Sequence, residues 1–167
     1  MILAQGDQVR LRQIERADLE ACAPFRYALF IAEPGAPLPR LLEVHAQTGF
    51  WTDLGGALAI EADGRLVGTI QAYRSGPGLH GYEIGYILHS EADRRQGYAS
   101  DALRSFSDFF FANRPDCHRL QLIIETRNEA SARLAEACGY EREGLLRKAG
   151  YASDADPPDV WVYSRVR

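Results

Sequence analysis

Apolar and polar residues alternate over residues 9–14, the period-two pattern of a half-buried strand. Residues 18–29 then carry a helical pattern, interrupted at Pro24, which either starts a new helix or kinks this one. Pro34, Gly35, Pro37 and Pro39 mark a loop, and residues 41–48 predict a second short helix. From Ala57 the chain becomes strand-like. Residues 57–62 and 66–73 flank Asp63-Gly64, the dipeptide of a two-residue hairpin. A turn at Ser75-Gly76-Pro77-Gly78 leads into a third strand over residues 82–88 and completes a meander.

The period then changes to 3.6. Ala99, Ala102, Leu103, Phe106 and Phe110 share one face of a helix. Residues 120–125 form a short apolar strand. Asn128 is placed to cap a further helix with Ala130, Leu134, Ala137 and Cys138 on its buried side, and Gly139 stands at its left-handed end. Residues 140–146 and 160–166 close the chain as two strands. This order predicts a mixed α+β sandwich with a largely antiparallel sheet.

Composition narrows the function classes. A chain of 167 residues fits one domain over residues 1–167 with a real core, and it has no repeat or low-complexity linker. A net charge of −4 argues against a nucleic-acid partner, which would require a basic face. Cys22, Cys117 and Cys138 show no metal-ligand spacing, so neither a zinc site nor a disulfide framework is expected. The N-terminus turns charged at once, unlike a signal peptide or membrane span. The expectation is a cytoplasmic protein without a membrane partner.

The informative segment is residues 85–100, where a strand runs into a loop holding Arg94, Arg95, Gln96 and Gly97, then into the helix of Tyr98, Ala99 and Ser100. Unpaired N–H groups and the positive dipole end at such a helix start suit an anion, a diphosphate in particular. Gly97 permits close backbone approach and Ala99 keeps the first turn slim. Neither a Walker loop nor a GxGxxG fingerprint is present. Cys117-His118 is no nucleophilic pair, because neighbours on a strand point to opposite faces.

Arg94-Arg95-Gln96-Gly97-Tyr98-Ala99 resembles the R/Q-x-x-G-x-G/A motif of GNAT acetyltransferases. Asn128-Glu129-Ala130-Ser131 followed by Cys138-Gly139-Tyr140 is similar to that family's N-x-x-A/S…G-F/Y element, and Glu83-Ile84-Gly85-Tyr86 and Glu143-Gly144 also match. Together they look most similar to the RimJ/RimL branch, whose named members acetylate ribosomal-protein N-termini. The resemblance implies a twisted, mostly antiparallel sheet flanked by helices on both faces, with a splayed parallel strand pair holding acetyl-CoA. Its pantetheine arm would pair with the backbone of Ile87 and Leu88. Its diphosphate would sit on the amides from Arg95 to Ser100, and Asn128 would meet the arm from the other side.

The resemblance further implies transfer of an acetyl group to a primary amine attacking directly in one complex. An alkyl ammonium titrates near about 10.4, so a base must take its proton; Glu83 is the first candidate, with His80 and His89 as alternatives. The backbone N–H of Leu88 or its neighbour is the candidate oxyanion donor. Many members carry a tyrosine seven residues after the asparagine; here that position is Ala135, and Ser131 is the candidate donor to the leaving thiolate. The acceptor pocket would come from residues 25–51, with Arg26 and Arg40, and residues 147–159, with Asp154, Asp156 and Asp159. A small-molecule amine is expected over a peptide N-terminus. A non-catalytic acyl-CoA-binding domain and a longer acyl donor stay open, as does a homodimer through the last strand.

Overall fold

The computed structural model describes residues 1–76, 78–150 and 155–167. In chain order its elements are β1 (Ile2–Gln5), β2 (Arg10–Gln13), α1 (Leu19–Cys22), α2 (Leu38–Thr48), β3 (Trp51–Thr52), β4 (Gly55–Ala62) and β5 (Arg65–Arg74), then β6 (Tyr82–Leu88), α3 (Tyr98–Asn113), β7 (Arg119–Glu125), α4 (Glu129–Ala137), β8 (Glu141–Leu146) and β9 (Val160–Val166). The strands make one sheet in the order β1-β2-β4-β5-β6-β7-β9-β8, with β3 on β4. Every pair is antiparallel except β6 with β7.

The meander forms where the sequence pattern places it. Asp63 and Gly64 take φ of 51° and 73°, the left-handed pair that a tight hairpin turn requires. Alternation along β4 then sends Leu58 and Ile60 to one face and Ala57 and Ala59 to the other, and each face is covered. Leu58 and Ile60 join the cluster built on Leu103, Phe106 and Phe110 of α3. Ala57 and Ala59 pack with Leu19, Cys22, Leu41 and Phe50. The helices therefore lie on both faces, as a mixed sheet with two apolar sides demands.

Several boundaries differ from the sequence expectation. β1 and β3 carried too short a pattern to be read. The helix expected over residues 18–29 is one turn, Leu19–Cys22, followed by successive turns. α2 starts earlier, at Leu38, because a proline in the first turn costs no hydrogen bond. In α4, Ala130 and Ala137 are exposed, while Ala135 and Cys138 are buried and Ser131 is half-buried. The last strand is no edge: β9 lies between β7 and β8, which removes pairing through it as a route to a dimer. Pro77, within the expected turn, and Asp154 lie outside the described residues.

Candidate active site

β6 and β7 run parallel but pair only at Tyr82 with Leu120 and Glu83 with Gln121. Beyond that, β6 stays on β5 from Tyr82 to Leu88, and β7 stays on β9 from Arg119 to Glu125. Each strand is held by its outer neighbour while the inner pair separates, so a wedge opens past Glu83. The His89 N–H bonds the Val67 carbonyl of the β5 side at 2.9 Å. Strand alternation then turns the N–H and C=O of Leu88 and Tyr86 into the wedge. Ile87, expected to share that role, directs its backbone to Thr69 of β5, and its side chain lies on the α1–α2 face.

The wedge leads into a turn built of unpaired amides. Arg94 is extended, with φ −71° and ψ 152°; Arg95 is left-handed at φ 62°, and Gly97 is left-handed at φ 87°. Among the described residues none supplies a side-chain cap to α3. Among the described residues, the N–H groups of Arg95, Gln96, Gly97, Tyr98, Ala99 and Ser100 have no hydrogen-bond acceptor; the first paired amide is that of Asp101, on the Gly97 carbonyl. Left-handed residues beside a helix start make a concave set of donors for an anion. Arg94 and Arg95 are exposed beside it, with Arg94 3.5 Å from Glu91.

Three contacts brace this turn. Arg65 grips the buried Asp93 with both guanidinium nitrogens, one at 3.0 Å, and holds its carboxyl below the usual carboxylate range. The Tyr98 hydroxyl donates to Asp63 at 3.1 Å. Asp101, a residue that sequence reasoning passed over, accepts the N–H groups of Asp7, Gln8 and Val9 at 3.2, 2.7 and 3.0 Å. That bracket brings Gln8 so close that a β-carbon at Gly97 would lie 2.7 Å from its amide nitrogen. The Gln8 side-chain end can swing aside, so a larger residue at 97 is strained chiefly by the left-handed backbone, at φ 87°.

The candidate chemical groups take opposite sides of β6. Glu83 shares its side of β6 with Gly85, Ile87 and His89, and accepts a hydrogen bond from the Tyr73 hydroxyl at 2.9 Å. Tyr82, Ile84 and Tyr86 take the opposite side, in the α3–α4 cluster. There the Ser131 hydroxyl lies 2.7 Å from that of Tyr86. Burial pushes the Tyr86 phenol up to about 12, against the smaller opposing effect of Ser131. Asn128 caps α4, its carbonyl oxygen accepting the Ser131 N–H at 3.2 Å. Among the described residues its amide nitrogen has no acceptor, so cap and ligand donor are compatible roles. His80 is exposed in a loop. His89 is six residues along β6 from Glu83, on the order of 20 Å, and stacks on Phe25 with ring centroids 4.6 Å apart. Burial lowers its pKa, leaving it neutral near pH 7.

The Glu83 side is walled by residues 27–31. Thr69 donates to the Ala28 carbonyl at 2.6 Å, and Gln71 donates to the Tyr27 carbonyl and accepts the Ile31 N–H, at 2.8 and 2.9 Å. The expected charges of the acceptor pocket are largely engaged. Lys148 binds Asp156 by its ammonium at 2.6 Å and Asp159 by its amide at 2.8 Å, and Arg40 pairs with Glu43 at 2.7 Å. Arg26 is exposed over the Tyr27 ring, and Asp154 lies outside the described residues. Cys117 is buried and His118 exposed, but both lie in the loop before β7 and not on a strand. Among the described residues no helix is long and apolar enough to cross a membrane.

Known proteins share this fold. Two curated relatives from Bacillus subtilis (strain 168), the uncharacterized N-acetyltransferase YoaA and the probable N-acetyltransferase YjcK, are each 33% identical to the chain, over 102 and 88 residues. Those matches cover 61% and 52% of this chain, and 56% and 48% of the relatives, about half their length. An acetyltransferase (GNAT family) from Bacillus anthracis superposes with a TM-score of 0.76 at 22% identity, over 99% of this chain and 98% of its own. The ribosomal L7/L12 alpha-N-protein acetyltransferase RimL in complex with coenzyme A gives 0.75 at 20%, over 99% and 98%. The spermidine/spermine N-acetyltransferase SpeG from Vibrio cholerae gives 0.78 at 20%, over 95% and 92%. A family model described as the acetyltransferase (GNAT) domain matches residues 8–141. That match takes in the wedge, the amide-lined turn and the whole of α4, and with them the chain belongs to the GNAT acetyltransferase family.

Proposed function

We propose that this chain is an acetyl-CoA-dependent N-acetyltransferase acting on a primary amine held in the same complex as the acyl donor. The observation that carries the reading is the run of six unpartnered amides from Arg95 to Ser100, set where β6 has lost its neighbour. That combination fits a diphosphate joined to an extended, amide-bearing arm. Acetyl-CoA, when bound, supplies the thioester whose acyl group is transferred.

The chain's own groups divide the work. Arg94 and Arg95 neutralise phosphate charge beside the amides. The wedge-facing backbone of Tyr86 and Leu88 pairs with the arm, and Asn128 donates to it from α4. The Leu88 N–H is the donor to the carbonyl oxygen of the transferred group. Glu83 takes the ammonium proton, directly or through a water, and Ser131 donates a hydrogen bond to the departing sulfur. The serine beside a missing tyrosine supports the RimJ/RimL-like branch.

The acceptor is a small-molecule amine. Its support is the wall of residues 27–31, fastened to β5 beside Glu83, which suits a compact partner. Ala135, buried and without a hydroxyl, favours a second reading, a domain that binds acyl-CoA without turnover. Release of thiol from acetyl-CoA in the presence of an amine library separates the two.

Thermal unfolding with acetyl-CoA, and with ATP and NAD as controls, tests the cofactor site. At one hundred times its dissociation constant a ligand stabilises the fold by about 2.7 kcal/mol, a shift of a few degrees. The expected shift appears with acetyl-CoA alone and disappears in Arg94→Ala or Gly97→Glu. No shift at saturation removes the proposed function.

A further inference from the structure

Of the groups lining the wedge, Tyr86 has no part in the chemistry described so far beyond its backbone. Its hydroxyl reaches from β6 to Ser131 on α4 at 2.7 Å and so ties together the two walls of the wedge. Two hydroxyls at that distance share one hydrogen, which either oxygen can donate, and the stronger acidity of the phenol favours it as the donor. The Ser131 hydrogen is then spare, since among the described residues its hydroxyl has no other partner. We propose that Tyr86 is a positioning residue: its phenol fixes the Ser131 hydroxyl with the serine hydrogen directed into the wedge, at the leaving sulfur. The inference rests on the reading that Ser131 donates to that sulfur.

An untethered serine hydroxyl rotates and must be ordered during the reaction, whereas one already oriented costs nothing at that moment. The helix cannot supply this order itself. Ala135, one turn beyond Ser131 on the same face of α4, is fully buried and offers only a methyl group. The strand brings a phenol to the place where the helix has none. Burial keeps that phenol protonated across the working range of pH, so it orients and does not titrate. In the transfer the C–S bond breaks with its electron pair on sulfur and the N–C bond forms. The nitrogen gives up two protons, one before attack and one as the amide forms; both pass to water on the Glu83 side, the sulfur departs as thiolate, and Tyr86 and Ser131 both keep their hydrogens.

The thiol pKa of bound coenzyme A tests this without any acceptor. It is read from thiolate absorbance between pH 6 and 9.5, against the same protein carrying desulfo-coenzyme A. A free thiol of this kind titrates near about 8.5. In the wild type the bound thiol is expected about one pH unit lower, the scale of one hydrogen bond to a charged group. Ser131→Ala restores the free value, Tyr86→Phe recovers most of the same shift, and the double variant goes no further than Ser131→Ala. If Ser131→Ala moves the thiol and Tyr86→Phe does not, the positioning role is overturned and the Ser131 reading stands. Additive shifts overturn it too, since the phenol would then act on sulfur directly. A thiol unmoved by Ser131→Ala removes both readings, and failure of coenzyme A to bind removes the proposed function beneath them. Tyr86→Phe deletes one oxygen, and an unchanged melting temperature of the coenzyme-free variant confirms that the fold is intact.

Discussion

Glu83 sits at the last paired position before the wedge opens, with the Tyr73 hydroxyl on one carboxylate oxygen. An alkyl amine near pH 7 is neutral in only about one molecule in a few thousand, so the group that removes its proton governs the rate. Glu83→Gln is therefore expected to slow transfer to an alkyl amine by about 10²-fold at neutral pH. The loss should shrink as the pH approaches the amine's own pKa, giving a steeper profile than wild type; unchanged kinetics would take Glu83 out of the mechanism. Glu83 was legible because a motif and a strand pattern both pointed to it. Ser131 was legible as a residue, but its face of α4 was not. Apolar spacing assigned the buried side to Ala130, Leu134, Ala137 and Cys138; Cys138 is buried and Leu134 packs against the core, but Ala130 and Ala137 are exposed, and the inward face takes in Ala135 and the half-buried Ser131. A hydroxyl on an inward face breaks the hydrophobic pattern, and such breaks occur where a site needs polarity inside. The partnership with Tyr86 carried no local signal, since the two residues lie 45 positions apart.

At the scale of elements, the β4–β5 hairpin does more than close a meander. Its turn and the first residue of β5 hold both ends of the amide-lined loop, Arg65 on Asp93 before the arginines and Asp63 on Tyr98 after Gly97. The turn itself was plain from Asp63-Gly64, but its contacts span 28 and 35 residues and leave no periodic trace. Asp93 has 5% of its side chain exposed, so a partner removed there leaves a carboxylate with little water to replace it. Arg65→Ala is expected to weaken acetyl-CoA binding by roughly tenfold, the scale of one lost charge-assisted hydrogen bond. Turnover at saturation should be nearly unchanged, because Arg65 bonds Asp93 of the loop and none of the groups assigned to the chemistry. Arg65→Lys, with one point charge in place of a fork, should fall between them. Calorimetric titration checks this, and equal affinities across the three proteins would show that the loop holds its shape alone.

For the whole molecule, the same burial that builds two cores around one sheet sets how the fold meets acid. His89 is stacked on Phe25, its Nε2 has no hydrogen-bond partner among the described residues, and burial lowers its pKa. Below about pH 6.5 the unfolded chain takes up a proton there that the folded chain resists, so stability falls as pH drops through that range. Glu143 acts at lower pH. Arg119 and Ser164 hold its carboxyl down to about 2, so its stabilisation is complete above the ordinary carboxylate range and drains away as pH falls from there towards 2. With 42% of its side chain exposed, solvent screens this pair and its share is smaller than the shift alone implies. Asp18 and Asp93, both held low by arginines, add to the second phase. Melting temperature followed from pH 8 to pH 3 should thus decline in two stages. His89→Phe, which keeps the ring stack and removes the titrating nitrogen, should flatten the first stage and leave the second. Glu143→Gln should leave the first stage and reduce the second, to which Asp18 and Asp93 still contribute. An unaltered first stage in His89→Phe would take His89 out of the acid response.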